Sequence, residues 1–206
     1  MEENPGILQV HEVSKSFRRK QILHRISFQM KRGEICSIVG ENGSGKTTLL
    51  RVIVGMLRAD EGSVKLSGKM GYCPQECQLF NSLTVRENLI YFATAYGLST
   101  KQRSWWRHVQ PMLDEFNLLK DLGTRVSRLS GGSRQKLNFL VALLHAPDLL
   151  LLDEPYAAFD WESYLRFWEL VNKLKVKGTA ILIVSHLIFE RDQIDTIFQL
   201  REGKFT

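Results

Sequence analysis

Residues Gly40-Glu41-Asn42-Gly43-Ser44-Gly45-Lys46-Thr47 decide how this chain is read. They fit G-x-x-x-x-G-K-[ST] without a gap, and each position has a physical reason. Glycines let backbone N–H groups turn inward around an anion and let that anion come close. Residues 34–39 precede the loop as a buried strand. Residues 46 to about 56 follow it as a helix whose positive N-terminal end points at the same anion. Lys46 is placed to reach the β- and γ-phosphates of a nucleotide, and the Thr47 hydroxyl to ligate Mg²⁺. A glycine-rich turn containing Gly-Lys-Thr by coincidence would lack this strand–loop–helix setting.

Further along, four leucines at 149–152 run into Asp153-Glu154. A buried parallel strand delivers its C-terminal residues to the sheet edge where such folds bind ligands. There Asp153 is expected to hold Mg²⁺ through water. Glu154 is expected beside the γ-phosphate, polarising the attacking water.

The rest of the chain reads as an α/β frame. Short apolar runs at 8–13, 26–30, 63–66, 70–73, 148–152 and 179–184 alternate with helical patterns after 130 and over 161–176, and 194–200 is expected as an edge strand. Thr84-x-x-Glu87 is a capping-box pattern opening a helix to about 96. A second helix over about 101–116 and a short third follow. Residues 82–128 show no convincing strand. They read as a helical subdomain inserted into a core formed by residues 1–81 and 129–206, a single domain of 206 residues. Trp105 and Trp106, inside the insert, suit either simple packing or a docking surface.

Several short patterns now fall into one order. Leu129-Ser130-Gly131-Gly132-Ser133-Arg134-Gln135 resembles the signature L-S-G-G-x-x-Q of the ATP-binding cassettes of ABC transporters. Gln75, in Gly71-Tyr72-Cys73-Pro74-Gln75-Glu76, resembles that family's Q-loop glutamine. His186, closing Ile183-Val184-Ser185-His186, resembles its switch histidine, and Asp160 in Ala158-Phe159-Asp160 its D-loop aspartate. Phe17 falls where the family places an aromatic on the adenine.

The resemblance spans essentially the whole chain and implies a P-loop NTPase. Its RecA-like core would carry a small antiparallel β-subdomain and an inserted helical subdomain. It implies ATP and Mg²⁺ as cofactors, with Glu154, His186, Gln75 and Lys46 catalytic. Phe17, Gly40, Glu41, Asn42, Gly43, Ser44, Gly45, Lys46, Thr47 and Thr48 would hold the nucleotide, and Thr47, Gln75 and Asp153 would surround the metal. Ser130, Gly131, Gly132 and Gln135 would act in trans on the nucleotide of a second cassette, identical or not, and Asp160 would sit at the joint. Separately encoded transmembrane permease subunits are the other implied partner. Leu79, Phe80 and Leu83 are expected either to line the groove for them or to pack internally. No direct nucleic-acid contact is implied.

Composition is compatible with this. The net charge of +6 speaks to association and solubility, not to fold. Three cysteines, Cys36, Cys73 and Cys77, form no disulfide framework, and no second Cys/His pair follows Cys73 and Cys77 at a metal-site interval. The first ten residues lack a signal-peptide core, and no run approaches the roughly 20 apolar residues of a spanning helix. Attachment to the cytoplasmic face of a membrane is therefore expected through a partner, with no room for an appended regulatory domain.

The pattern departs from the family in four places. Phe17 stands for the usual tyrosine, Tyr156-Ala157-Ala158-Phe159 is an unusual approach to Asp160, the helix at Phe139-Leu140-Val141-Ala142 lacks a common arginine, and the stretch from 62 to 75 is short. The compact cassette points to an exporter. The alternatives are a soluble, non-transport ABC ATPase of the iron–sulfur assembly type and a module that binds nucleotide without hydrolysing it. Glu154 and His186 argue against the last.

Overall fold

The computed structural model describes residues 6–18, 20–99, 104–186 and 191–206. Alternating burial along the first strands builds a long antiparallel pair. β1 (Leu8–Phe17) and β2 (Lys20–Met30) pair from Leu8 opposite Met30 to Phe17 opposite Lys20. β3 (Ile35–Val39) enters the glycine loop, and α1 (Lys46–Ile53) leaves it. This helix ends before residue 56 because Gly55, at φ 77°, takes the left-handed conformation that closes helices. β4 (Glu61–Leu66) pairs antiparallel with the free side of β1, completing a three-stranded sheet in the order β2-β1-β4.

β5 (Met70–Cys73) then opens the edge of a second sheet. Between it and the next strand come helices and turns. α2 (Val85–Ala95) starts at the expected capping box, with Thr84 and Glu87 closing on each other's backbone N–H. α3 (Ser104–Glu115) lies inside the expected second helix, and residues 101–103 of that expectation fall outside the described residues. Short 3₁₀ turns at Leu119–Asp121 and Val126–Arg128 follow, then α4 (Gly131–Leu143).

The strands β6 (Leu149–Asp153) and β7 (Ala180–Ser185) flank α5 (Trp161–Val176) in sequence. Every residue of both strands is buried, as expected of parallel strands covered on both faces. The chain ends with β8 (Thr196–Arg201) and β9 (Lys204–Phe205).

The second sheet has the order β5-β6-β7-β3-β8-β9. Its first five strands are parallel, and β9 turns back antiparallel on β8. The expected edge strand at 194–200 is thus not the edge. The two-residue β9 covers it and is too short to show any period in sequence.

Alternate side chains of the parallel strands feed two cores. Leu150, Leu152, Ile181 and Ile183 face α4, α5 and the helices of residues 85–115. Leu149, Leu151, Leu182 and Val184 face α1 and the antiparallel sheet. Trp105 is buried in the first core and Trp106 packs against it, edge to face with Trp105 and beneath Arg86, so the pair is internal packing.

Asp160 fixes the start of α5. Its Oδ1 accepts from the Ser163 N–H at 2.8 Å, and Lys136 on α4 lies 3.2 Å from its Oδ2. The hydrogen bonds from Ser163, then Lys136, pull the carboxyl down to about 2 from an ordinary 3.8. A depressed carboxylate stabilises the fold fully above its unfolded pKa and loses that contribution as pH falls through the folded one. Asp160→Ala should therefore cost about 1 kcal/mol at pH 7 in denaturant unfolding. The difference from wild type should shrink as pH drops below 4.

Candidate functional site

The strand order brings the informative sequence segments to one edge. β3 ends in the glycine loop, β7 beside it ends at Ser185-His186, β6 next ends at Asp153-Glu154, and β5 leads to Gln75. Together they form a cavity of about 390 Å³. Phe17, Lys20, Ile22, Asn42, Gly43, Gly45, Lys46, Thr47, Thr48, Gln75, Asp153, Glu154 and His186 line it. Lys20 and Ile22 were not legible as site residues, although their two-residue spacing on β2 places both on one face of the strand.

The loop is built around a buried lysine. Lys46 is 7% exposed, and its Nζ donates to the carbonyl oxygens of Gly40 (2.5 Å) and Glu41 (2.9 Å) and lies 3.5 Å from Nδ1 of His186. Burial lowers its pKa, opposed by the negative charges of Glu154 and Asp153. Gly40, Glu41 and Ser44 thus shape the loop from behind and do not line the cavity. A Cβ on Gly40 would sit 2.3 Å from the Leu200 carbonyl oxygen.

The N-terminus of α1 differs from those of its neighbours. α2, α4 and α5 are capped by Thr84, Ser130 and Asp160. α1 begins at Gly45 in the left-handed conformation, with no side-chain cap and no acid in its first turn. A helix leaves its first N–H groups without intrahelical partners. Here they open on the cavity beside an ammonium, an arrangement that favours a phosphate.

The two carboxylates opposite are not equivalent. Asp153 is 4% exposed, and its pKa is raised to about 6, first by burial and then by Glu154, against the pull of Lys46. Glu154 sits at φ 48°, a conformation uncommon outside glycine, while its N–H donates to the Val184 carbonyl at 2.9 Å. That turn aims its side chain between two partners. Oε1 meets Nε2 of His186, and Oε2 accepts from Nε2 of Gln75 at 3.2 Å. A carboxylate held on both oxygens facing an anion site suits a group that orients a water molecule.

Phe17 is 48% exposed at the cavity wall, with the Lys15 ammonium 5.7 Å from its ring centroid, so it is not a core residue. Ser130, Gly131, Gly132, Gln135 and Asp160 lie outside this lining. Ser130 caps α4, its Oγ accepting from the Ser133 N–H at 3.1 Å, and Gly131 is exposed. Gln135 is buried and accepts a hydrogen bond from the Cys77 thiol at 3.0 Å. Asn138, on the same helix, donates to the Pro74 carbonyl (2.9 Å) and to Cys73 (3.3 Å). The segment around Gln75 is therefore tethered to the signature helix of the same chain, a link between residues 58 to 65 positions apart that sequence spacing does not reveal. Among the described residues no group of three or more His, Cys, Asp or Glu is arranged to hold a metal ion by itself, and no helix is long and apolar enough to cross a membrane.

Comparison with known proteins agrees with this geometry. The family model described as ABC transporter matches residues 23–157, more than half of the chain. Nod factor export ATP-binding protein I of Paraburkholderia xenovorans is 33% identical over 91% of this chain and 65% of its own length. ABC transporter G family member 23 of Dictyostelium discoideum is 32% identical over 96% of this chain, which spans only 30% of that protein. A solved ATP-binding subunit of an ABC transporter superposes with a TM-score of 0.91 at 29% identity, over 97% of this chain and 88% of that one. A dimeric post-hydrolysis ATP-binding cassette with ADP and Pi bound gives 0.86 at 25% identity, covering 96% of each chain.

Two glycines of the loop should respond differently to a methyl group. Gly40→Ala drives Cβ into the Leu200 carbonyl and should cost about 1–3 kcal/mol of stability and weaken nucleotide binding sharply. Gly43→Ala meets open space at φ 81° and should cost only about 1–2 kcal/mol of left-handed strain. Chemical denaturation and titration with a fluorescent ATP analogue measure both.

Proposed function

The chain belongs to the ABC transporter family, and from that membership we propose that it is the ATP-binding, ATP-hydrolysing subunit that powers a membrane transporter. The observation that carries this reading is the uncapped N-terminus of α1 beside Lys46, facing a Glu154 held by His186 and Gln75. Phosphoryl transfer asks little covalent chemistry of a protein; positioning and charge supply most of the catalysis.

Phe17 stacks on the base, and Asn42, Gly43, Gly45, Lys46, Thr47 and Thr48 surround the phosphates. Thr47 and Asp153 offer Mg²⁺ the hard oxygen donors it prefers, with Gln75 nearby, and both face the cavity with the loop. The ion, when bound, neutralises charge on the β- and γ-phosphates. Glu154 orients the attacking water and takes its proton, and His186 keeps the carboxylate aimed. Products are ADP and inorganic phosphate.

Ser130, Gly131 and Gly132 serve a second nucleotide, held by a partner cassette packed head to tail. Their position outside the cavity of their own chain supports this, as does the dimeric arrangement of the similar post-hydrolysis cassette. ATP then favours the closed pair, and loss of the γ-phosphate releases it.

Residues 82–128 form the helical subdomain that meets the permease. Phe80 and Tyr91, 40% and 49% exposed with ring centroids 4.4 Å apart, offer it an aromatic face. Leu79 and Leu83 are half-buried and contribute less. This contact holds the cassette at the cytoplasmic surface of the membrane. Export is the direction we favour, in line with the Nod factor export relative.

Glu154→Gln keeps the shape of the side chain and removes the base. Phosphate release should fall about 10²–10⁴-fold. ATP affinity should be retained, and the variant should accumulate as a dimer in MgATP on a sizing column. Unchanged turnover would remove Glu154 from the mechanism.

A further inference from the structure

We propose that Trp161 is an anchoring knob of the cassette pair, seated in a cleft between Arg191 and Arg201 of a second copy of this chain. This deepens the head-to-tail reading and rests on it.

The knob is unusual for its exposure. Trp161 is 71% exposed at the first position of α5, and the next turn adds Leu165 at 44%. Its indole is held in place, since Tyr164 stacks beneath it at 5.7 Å and 20°. A rigid, amphipathic ring loses little conformational entropy on docking, so its burial stabilises a complex more fully than that of a flexible side chain. An exposed tryptophan of this kind suits an interface hot spot.

The geometry of the chain places the knob next to the signature. Lys136 of α4 bridges to Asp160, the residue before Trp161. Gly132 of the signature lies so close to the Ala158 carbonyl that a Cβ there would sit 2.8 Å from the oxygen. Whatever faces the signature therefore also faces Trp161. In a head-to-tail pair that is the phosphate-loop end of the partner.

That end carries a matching cleft. A cavity of about 500 Å³ adjoins the phosphate loop, with Asn42, His186, Arg191, Ile197, Gln199 and Arg201 among its lining. With its amide oxygen turned inward, Gln199 accepts 2.9 and 3.1 Å hydrogen bonds from Arg201, which steadies the guanidinium. Guanidinium groups over an indole face and an isoleucine beside it are the chemistry a tryptophan selects. Two-fold symmetry makes the fit self-complementary, so each pair buries two knobs in two clefts.

The test uses Glu154→Gln as the parent, with dimer constants in MgATP from analytical ultracentrifugation. Trp161→Ala and Arg201→Ala should each weaken the dimer about tenfold or more. The double variant should be little weaker than either single one, because both changes remove the same contact. Iodide quenching of tryptophan emission should fall on dimerisation of the parent, since Trp161 is the most exposed of the four tryptophans, Trp105 and Trp168 being buried and Trp106 half-buried in the monomer already. Each variant must bind a fluorescent ATP analogue as the parent does, which separates docking from folding; Trp161→Phe replaces Trp161→Ala if that variant misfolds.

An unchanged dimer constant for Trp161→Ala, or unprotected emission, would overturn the knob and leave the pairing itself standing. Effects that multiply in the double variant would show that Trp161 meets another surface, such as the second Trp161, and overturn the cleft. A parent that stays monomeric with ATP bound would instead remove the head-to-tail reading on which the knob depends.

Discussion

The Lys46 ammonium is buried, and a charge taken out of water must find oxygen atoms or an opposite charge. Its own loop supplies the Gly40 and Glu41 carbonyls, and across the sheet edge Asp153 and Glu154 supply the field. Meeting that demand constrains the rest. The loop must curl tightly enough to return two carbonyls to the side chain five and six residues on. That curl needs Gly40 without a Cβ against β8. It also needs β3, β6 and β7 adjacent and parallel, so that their ends meet. The uncapped α1 follows from the same turn, because Gly45 occupies the cap position with no side chain to close it.

Much of this was legible in the sequence, for physical reasons. Strands buried on both faces read as unbroken apolar runs, so β6 and β7 were found nearly to the residue. The capping box at Thr84 and Glu87 is local chemistry written in four residues, and it located α2. The glycine loop fixes its own conformation and so announced itself. Other features depend on contacts that sequence does not encode locally. β9 is too short for periodicity. Lys20 and Ile22 reach the cavity only because β2 runs past the loop. The Cys77–Gln135 and Pro74–Asn138 contacts join segments far apart in the chain. Trp105 and Trp106 were ambiguous because a tryptophan serves burial and docking equally well, and only the packing of α3 against α4 distinguishes the two.

On the proposed function, the tether between the Gln75 segment and α4 has a mechanical meaning. Gln75 touches Glu154 and so lies against the cavity, while α4 carries the signature toward a partner. Movement of one therefore displaces the other within a single chain. Nucleotide on one side of the sheet edge and a partner on the other are then connected through packed side chains, a physical route for ATP to bias assembly.

The central claim is that two copies share each nucleotide. The most direct measurement is the rate of phosphate release per protomer by the wild-type chain in saturating MgATP, across a wide range of protein concentration. Shared sites give a specific activity that rises with concentration and then levels off as pairs fill. A specific activity constant over the whole range would mean that each chain hydrolyses ATP alone, and would contradict the head-to-tail site.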